Sequence, residues 1–166
     1  MGEEYVVVEG VTVSYSGLFK AKDLLTEINE ILTKKNYDKE EKSNTEKVTA
    51  KGKNIELKME YGKRQSSYIK YVIEVELKIK EMKDTVVTKG DRKIKYNEGD
   101  IEIEFKSKLK TDLAGKWKSR PDLVFIGHVI NKYLYPIYIS KEISELKEHT
   151  MYVKDSVKAF LNLYKF

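Results

Sequence analysis

The chain has 166 residues, of which 40% are hydrophobic, and this length and composition predict one domain spanning residues 1–166. Cysteine is absent and there are two histidines, which excludes disulfides, thiol catalysis, thiolate zinc sites and a histidine-rich metal site. The net charge is +5 and no stretch has the pattern of a signal peptide or a membrane span, so we expect a cytoplasmic protein.

The amino-terminal part of the chain predicts a strand followed by a helix. Residues 4–15, EYVVVEGVTVSY, are rich in the β-branched and aromatic side chains that suit a half-buried strand, which Gly17 is expected to end. Apolar residues then recur at helical spacing up to KKNY, where Asn36 tolerates the left-handed conformation that ends a helix. They are Leu24, Leu25, Ile28, Ile31 and Leu32. The polar stretch 38–54 predicts an edge strand or a linker loop.

The middle of the chain alternates apolar and charged residues with a period of two, which predicts strands with one buried face. Turns are predicted at Gly90-Asp91 and at residues 97–100, NEGD, and strands joined by short turns indicate an antiparallel meander. The opposite faces alternate Lys with Glu and are expected to contact solvent. The residues predicted to face the core are Ile55, Leu57, Met59, Tyr61, Ile69, Tyr71, Ile73, Val75, Leu77, Ile79, Ile101, Ile103, Phe105, Ser107 and Leu109.

Two helices are predicted after the strands. Residues 119–135, SRPDLVFIGHVINKYLY, have Ser119 as a candidate N-cap and form a short apolar helix that is expected to end before Pro136. The last helix is predicted to begin at Ser140 and to carry an apolar stripe spaced alternately by three and four residues. The stripe consists of Ile143, Leu146, Thr150, Val153, Val157, Phe160 and Tyr164.

The order of these elements resembles the START and Bet v 1-like helix-grip superfamily. The resemblance covers EYVVVEGVTVSY, LLTEINEIL, the strands between residues 54 and 110, and ISELKEHTMYVKDSVKAFLNLY. It implies an α+β domain in which an antiparallel β-meander is gripped by an N-terminal helix and a long C-terminal helix around a site for an apolar small molecule. One departure is the extra short helix inserted before the last one. Its bulky side chains favour a cavity no larger than about 300 Å³, and whether residues 111–139 fill it stays open.

The acidic and histidine side chains form no catalytic pattern. Two i, i+2 carboxylate pairs continue into lysines on the same strand face, as a solvated face does. They are Glu74 with Glu76 and Glu102 with Glu104. His128 lies among apolar residues and is expected in a core or interface, and His149 is expected to be exposed. Motifs for a nucleophile or a phosphate loop are also missing, so we expect neither an enzyme nor a cofactor or metal.

The segment FKSKLKTDLAGKWKSRP, residues 105–121, has six cations against Asp112 and so carries the net charge by itself. Its first lysines alternate along a strand, which places them on one face about 7 Å apart. A row of cations beside an aromatic ring fits a sequence-indifferent RNA binder. The RNA-binding candidates are Lys106, Lys108, Lys110, Lys116, Trp117, Lys118 and Arg120. Alternatively, the lysines protect a strand edge and Trp117 caps the core.

These patterns together predict a non-catalytic binding module that docks on RNA or the ribosome. The alternative is a carrier or sensor of a small apolar molecule. A homodimer is also predicted, because apolar residues lie off the stripe of the last helix: Tyr152, Leu161 and Leu163. Charged residues make up 36% of the chain and are mostly Lys and Glu. A thermophilic source and an AT-rich genome explain this composition equally well.

Overall fold

Five strands and two helices make up the part of the chain that the structure describes, residues 4–111 and 135–164 of a computed structural model. The strands are β1 (Glu4–Phe19), β2 (Asp38–Thr49), β3 (Gly52–Arg64), β4 (Ile69–Lys89) and β5 (Arg92–Thr111), and the helices are α1 (Ala21–Lys34) and α2 (Tyr135–Asn162). The strands form one antiparallel sheet in the order β1-β5-β4-β3-β2, so β1 and β2 are its edges. The predicted α+β class with an antiparallel sheet is confirmed.

β1 is longer than its sequence pattern indicates, whereas α1 agrees with its pattern. The strand continues past Gly17, whose φ of 133° lies in a region that L side chains rarely adopt, and ends at Phe19. α1 buries one side of its predicted apolar stripe, namely Leu24, Ile28, Ile31 and Leu32. The chain turns after α1 at Asn36, whose φ of 67° is left-handed, as predicted.

The polar stretch of residues 38–54 forms the edge strand β2 and the beginning of β3, so the edge-strand prediction is the one that holds. β2 pairs with β3 along its whole length, with one bulge after Lys39. Its described side chains are almost all exposed, since the helices pack mainly toward the other edge. Charged side chains on an edge strand discourage pairing with other chains.

β4 and β5 form one long hairpin, and the predicted second turn at residues 97–100 is wrong. The predicted turn at Gly90-Asp91 is present as a two-residue connection. NEGD is part of β5 and pairs with β4 on one side and with β1 on the other. A bulge at Glu81, whose φ is 54°, changes the register of β4, and the Asn97 side chain bonds neighbouring elements instead of closing a turn.

One face of the sheet carries the core, and the period-two pattern identifies it correctly. Every residue predicted to face the core is buried except Ile55, which is partly exposed. Burying a side chain such as Phe105 stabilises the fold by about 1.5–3 kcal/mol. Ser107 is the serine of this set, and its hydroxyl has no hydrogen-bond partner in the part of the chain described. We call the opposite face, which is lined mostly by Lys and Glu, the outer face.

α2 begins at Tyr135, earlier than the predicted start at Ser140, because Pro136 lies in its first turn, where a missing N–H is tolerated. The rest of the predicted short helix, residues 119–134, lies outside the described residues. α2 packs over β1 and β5 and against α1. The buried part of its predicted stripe consists of Leu146, Thr150, Val153 and Val157. Neither of the two described helices combines the length and apolarity that crossing a membrane requires.

Candidate functional site

The described lysines of the predicted RNA-binding segment lie on the outer face of β5, as the alternation predicts. Each forms an ion pair with a carboxylate of β5 or of a neighbouring strand. The ion pairs join Lys106 to Glu104 at 3.0 Å, Lys108 to Glu74 at 3.1 Å and Lys110 to Glu4 at 3.6 Å. The remaining candidates, Lys116, Trp117, Lys118 and Arg120, lie outside the described residues.

The ion pairs partly neutralise these lysines but do not prevent them from binding another anion. The hydrogen bond to Glu104 raises the pKa of Lys106. Burial lowers the pKa of Lys108, but the hydrogen bond to Glu74 and the charges of nearby carboxylates together raise the pKa overall. Ion pairs between exposed side chains are weak, so an incoming phosphate can compete with the carboxylates. β5 lies between β1 and β4, and the alternative prediction that these lysines protect a sheet edge is therefore wrong.

Further cations lie beside this segment on the outer face, where β5 ends. Arg64 of β3 is directly opposite Lys70 of β4, and Lys70 is directly opposite Lys110 of β5. We call Arg64, Lys70 and Lys110 the basic row. Lys70 contacts Glu40 of β2 at 2.6 Å, whereas Arg64 is exposed and forms no ion pair with a described residue. Like charges directly opposite each other destabilise a sheet, so the basic row is not explained by the stability of the fold.

The sequence pattern identifies Lys110 but not its two neighbours in the basic row. Arg64 and Lys70 flank the short connection between β3 and β4, and Lys63 is the cation that lies next to Arg64 in the sequence. The antiparallel meander was a usable signal, because it brings the end of one strand beside the start of the next. Applying it across three strands requires the register, which the sequence pattern does not supply.

The three residues predicted for a dimer interface do not share one environment. Tyr152 and Leu163 are 54% and 75% exposed, and the ring of Tyr152 lies 4.3 Å from the ammonium group of Lys35. Leu161 is 1% exposed and belongs to the core, so its assignment to an interface is wrong. It follows Val157 by four residues and therefore continues the inward side of α2.

A second candidate site lies on the inner side of the sheet, where α2 contacts the start of β4. The Tyr71 hydroxyl donates a hydrogen bond to the Glu142 carboxylate and lies 3.1 Å from Glu145 Oε2. His149 Nε2 lies 3.7 Å from Glu145 Oε1, and His149 Nδ1 lies 2.9 Å from the Tyr37 hydroxyl. We call these five residues the inner cluster. They join α2 to β4 and to the connection between α1 and β2.

The inner cluster overturns the expectation that His149 is exposed. Its side chain is 14% exposed, because Tyr37 and Tyr71 contact the imidazole ring edge-on, with ring centroids 5.9 Å and 6.2 Å away. The sequence carries a weak signal for this contact, since Glu145 and His149 are one helical turn apart. The tyrosines are too distant in sequence for any local pattern to find them.

The surroundings of three inner-cluster residues, Tyr37, Glu142 and His149, favour their uncharged forms. Burial and the charge of Glu145 raise the pKa of Tyr37. Burial and Glu145 also raise the pKa of Glu142, although Lys63 opposes them. Burial and nearby lysines lower the pKa of His149. A phenol with a raised pKa is a poor nucleophile, so this phenol–imidazole–carboxylate chain is suited to hydrogen bonding rather than to covalent catalysis.

Two pockets formed by described residues are open depressions in the sheet. One of about 620 Å³ lies on the outer face beside Glu74 and Lys106. Another of about 660 Å³ lies at the turn between β2 and β3, beside Lys51 and Lys80. Both are lined by strand and turn residues and by no residue of α1 or α2. The expected size limit for a cavity between the sheet and α2 stays a prediction.

Over residues 4–111 and 135–164, His, Asp and Glu side chains form no group of three or more that could hold a metal ion. The chain matches no protein-family model, no curated protein and no solved structure. The basic row and the inner cluster are thus characterised by their own geometry and chemistry.

Proposed function

We propose that the protein is a non-catalytic binding module that docks on RNA, in the cytoplasm, through the outer face of its sheet. The observation that carries this proposal is the basic row, in which three cations lie directly opposite one another on neighbouring strands. Repulsion between the cations of such a row destabilises the free protein, and phosphates that neutralise the row relieve this repulsion. Adjacent strands are about 4.8 Å apart, so the row spans about 10 Å. It can therefore contact successive phosphates of one backbone.

The basic row continues along the chain into the rest of the predicted binding segment. Lys110 is followed by Thr111 at the end of β5, and the next cations in sequence are Lys116, Lys118 and Arg120. We propose that these cations extend the phosphate-binding surface and that Trp117 stacks on a base. Contacts of this kind are insensitive to base sequence, which suits docking on a large folded RNA such as ribosomal RNA.

The salt dependence of RNA binding tests this proposal. The row variant combines Arg64→Gln, Lys70→Gln and Lys110→Gln. The control variant combines Lys58→Gln, Lys78→Gln and Lys80→Gln, which removes the same charge from the middle of the outer face. Affinity for transfer RNA is measured against salt concentration for both. We expect the row variant to flatten the slope by about one unit, since each lost phosphate contact contributes about 0.7–0.9 and Lys70 and Lys110 are already paired.

The control variant should change the slope by less than half a unit, because Lys58, Lys78 and Lys80 each lie directly opposite a carboxylate on a neighbouring strand and not opposite other cations. Equal slopes for the row variant and the wild-type protein would contradict the proposal. So would equal losses in the row and control variants, because binding would then follow net charge and not this site.

The carrier function is a second proposal, favoured by the inner cluster. A helix-grip arrangement would place a ligand between α2 and the sheet, where Tyr71, Glu142 and His149 offer polar groups beside apolar walls. Mass spectrometry of small molecules released from the purified protein tests this idea. A stoichiometric apolar ligand that is lost on Tyr71→Phe supports it, and a protein free of small molecules contradicts it.

Self-association is a separate proposal that involves the exposed side of α2. Tyr152 and Leu163 are large apolar residues that the described part of the fold leaves accessible. Light scattering at micromolar concentration should give the mass of a dimer, and Leu163→Lys should then give a monomer. A monomeric wild-type protein would contradict the proposal.

A further inference from the structure

The β4–β5 hairpin extends beyond the rest of the described structure as a two-stranded ribbon. β3 stops pairing with β4 at Met82, and β1 stops pairing with β5 at Asn97. Residues 86–95 pair only with each other in the described sheet and are connected by the two-residue turn. We call residues 86–95 the arm. A ribbon of two strands is marginally stable by itself, so the arm adds little to the stability of the fold.

The arm has a strongly basic composition. Its cations are Lys89, Arg92, Lys93 and Lys95, and its acidic residue is Asp91. Arg92, Lys93 and Lys95 are exposed and form no ion pair within the described part of the chain. The lysines at the other end of β5 differ, because each of them contacts a carboxylate. Arg92, Lys93 and Lys95 therefore present charge that no described residue compensates.

The cations of the arm point to both faces of the ribbon. Arg92 lies on the same face as Ile94 and Tyr96, whereas Lys93 and Lys95 lie on the opposite face. A flat anionic surface, such as a membrane, can contact one of these faces at a time. A slot with phosphates on both walls can contact both faces together. The distribution of charge thus fits a narrow anionic slot better than a plane.

The base of the arm packs against residues outside the β4–β5 hairpin. Tyr96 is buried and packs edge-on against Tyr164 after α2, with ring centroids 6.3 Å apart. The ammonium group of Lys20 lies 5.4 Å from the centre of the Tyr96 ring. At its tip, Gly90 has a φ of 59° and open space around it. The arm is thus a short basic projection on a packed support.

We propose that the arm inserts between two closely spaced phosphate backbones of a folded RNA. This inference rests on the proposed function for the choice of RNA and deepens it by naming a compact fold as the recognised feature. In a folded RNA two backbones face each other across a groove or between packed helices, and an unstructured strand offers no such slot. The uncompensated cations attract the phosphates. Because the cations lie on both faces of the arm, a slot with phosphates on both walls is preferred.

Binding to RNAs of different compactness tests the inference. The arm variant combines Arg92→Gln, Lys93→Gln and Lys95→Gln, with the same control variant as above. The probes are transfer RNA, poly(U) of similar length, a DNA duplex of matched charge and vesicles containing phosphatidylserine. We expect the arm variant to bind transfer RNA roughly tenfold more weakly, from the loss of up to three phosphate contacts, and poly(U) within about twofold of wild type. The control variant should retain the preference for transfer RNA.

Each other outcome overturns the inference. Equal losses on transfer RNA and poly(U) would show that the arm contributes charge without recognising a slot. If the arm variant binds like the wild-type protein, or if the control variant loses as much affinity as the arm variant, the arm is not the binding site. Arm-dependent binding that is tighter to the DNA duplex or to the vesicles than to transfer RNA would identify a different partner.

The row variant separates this inference from the proposed function. If the row variant binds like the wild-type protein and the arm variant loses its preference for transfer RNA, the proposal for the basic row is contradicted and the inference for the arm is supported. If the row variant weakens binding and the arm variant binds like the wild-type protein, the inference for the arm is contradicted and the proposal for the basic row is supported. Thermal unfolding of all three variants checks that each is folded, which surface Lys→Gln changes should preserve.

Discussion

The two ends of β5 have similar sequences and different surroundings. Both alternate cations with apolar residues, in KIKY at the start and in FKSKLK at the end. The end that includes residues 101–111, which we call the body end, lies between two strands beneath α2, and its lysines contact carboxylates. The arm end has one neighbouring strand and cations without ion pairs in the described structure. Charge density in a sequence therefore does not reveal which cations are available to a partner.

The first prediction compares apolar residues at the two ends. Phe105→Ala removes a fully buried ring at the body end and should cost about 3–5 kcal/mol of unfolding free energy. Ile94→Ala lies in the arm, where the side chain is partly exposed, and should cost about 1 kcal/mol or less. Urea unfolding of both variants measures the difference. A cost for Ile94→Ala close to that of Phe105→Ala would mean that the arm is packed against something and is not a free projection.

The second prediction concerns the inner cluster, which lies over the body end, since Tyr71 is directly opposite Leu109. Tyr71→Phe leaves the buried Glu142 carboxyl without its donor and should cost about 1–3 kcal/mol. The matched control is Tyr61→Phe, because Tyr61 is equally buried and its hydroxyl has a weak sulfur contact at 3.7 Å. Tyr61→Phe should cost less than Tyr71→Phe by urea unfolding, and the reverse order would show that the inner cluster does not stabilise the body end.

Period-two alternation predicts the body of the sheet well for a physical reason. A strand such as residues 69–79 carries its inward and outward faces in its own sequence, so no knowledge of neighbouring strands is needed. The end of α1 is predicted for the same reason, because the left-handed preference of Asn36 is local. The start of α2 is missed because Pro136 stops a helix in its interior but is tolerated in its first turn.

The candidate sites depend on contacts that a local pattern does not contain. His149 meets Tyr37 across 112 residues, and the basic row needs the register of three strands. Residues 97–100 have turn-forming composition, yet the bulge at Glu81 lets them pair within the sheet. The arm had a visible signal in KGDRKIK, but its projection depends on where β1 and β3 stop pairing.

The third prediction uses pH to test the inner cluster, which lies over the body end of β5. His149 has a lowered pKa in the folded protein, so the stability that it contributes is present above its ordinary pKa of 6.5 and is lost as the pH falls through the lowered value. His149→Gln cannot be protonated in this range and should lose less stability on acidification from pH 7. The difference between wild type and variant in urea unfolding at several pH values measures this effect. A parallel decline of both proteins below pH 6.5 would contradict it.

A fourth and smaller effect is expected from the unpaired hydroxyl of the body end. Ser107→Ala removes a buried oxygen that has no described hydrogen-bond partner and should leave stability unchanged or raise it by up to about 1 kcal/mol. Thr88→Ala in the exposed arm should change stability by about 0.5 kcal/mol or less. Thermal unfolding distinguishes the two variants. A clear destabilisation by Ser107→Ala would indicate that the hydroxyl has a partner.

The salt dependence of transfer RNA binding, measured for the arm variant and the row variant side by side, tests the central contrast most directly. Arg92, Lys93 and Lys95 have no described carboxylate to release, so the arm variant should flatten the slope by about two units or more. In the basic row Lys70 and Lys110 are already paired, so the row variant should flatten it by about one unit. A larger loss in the row variant than in the arm variant would contradict the account, because paired cations would then contribute more to binding than unpaired ones.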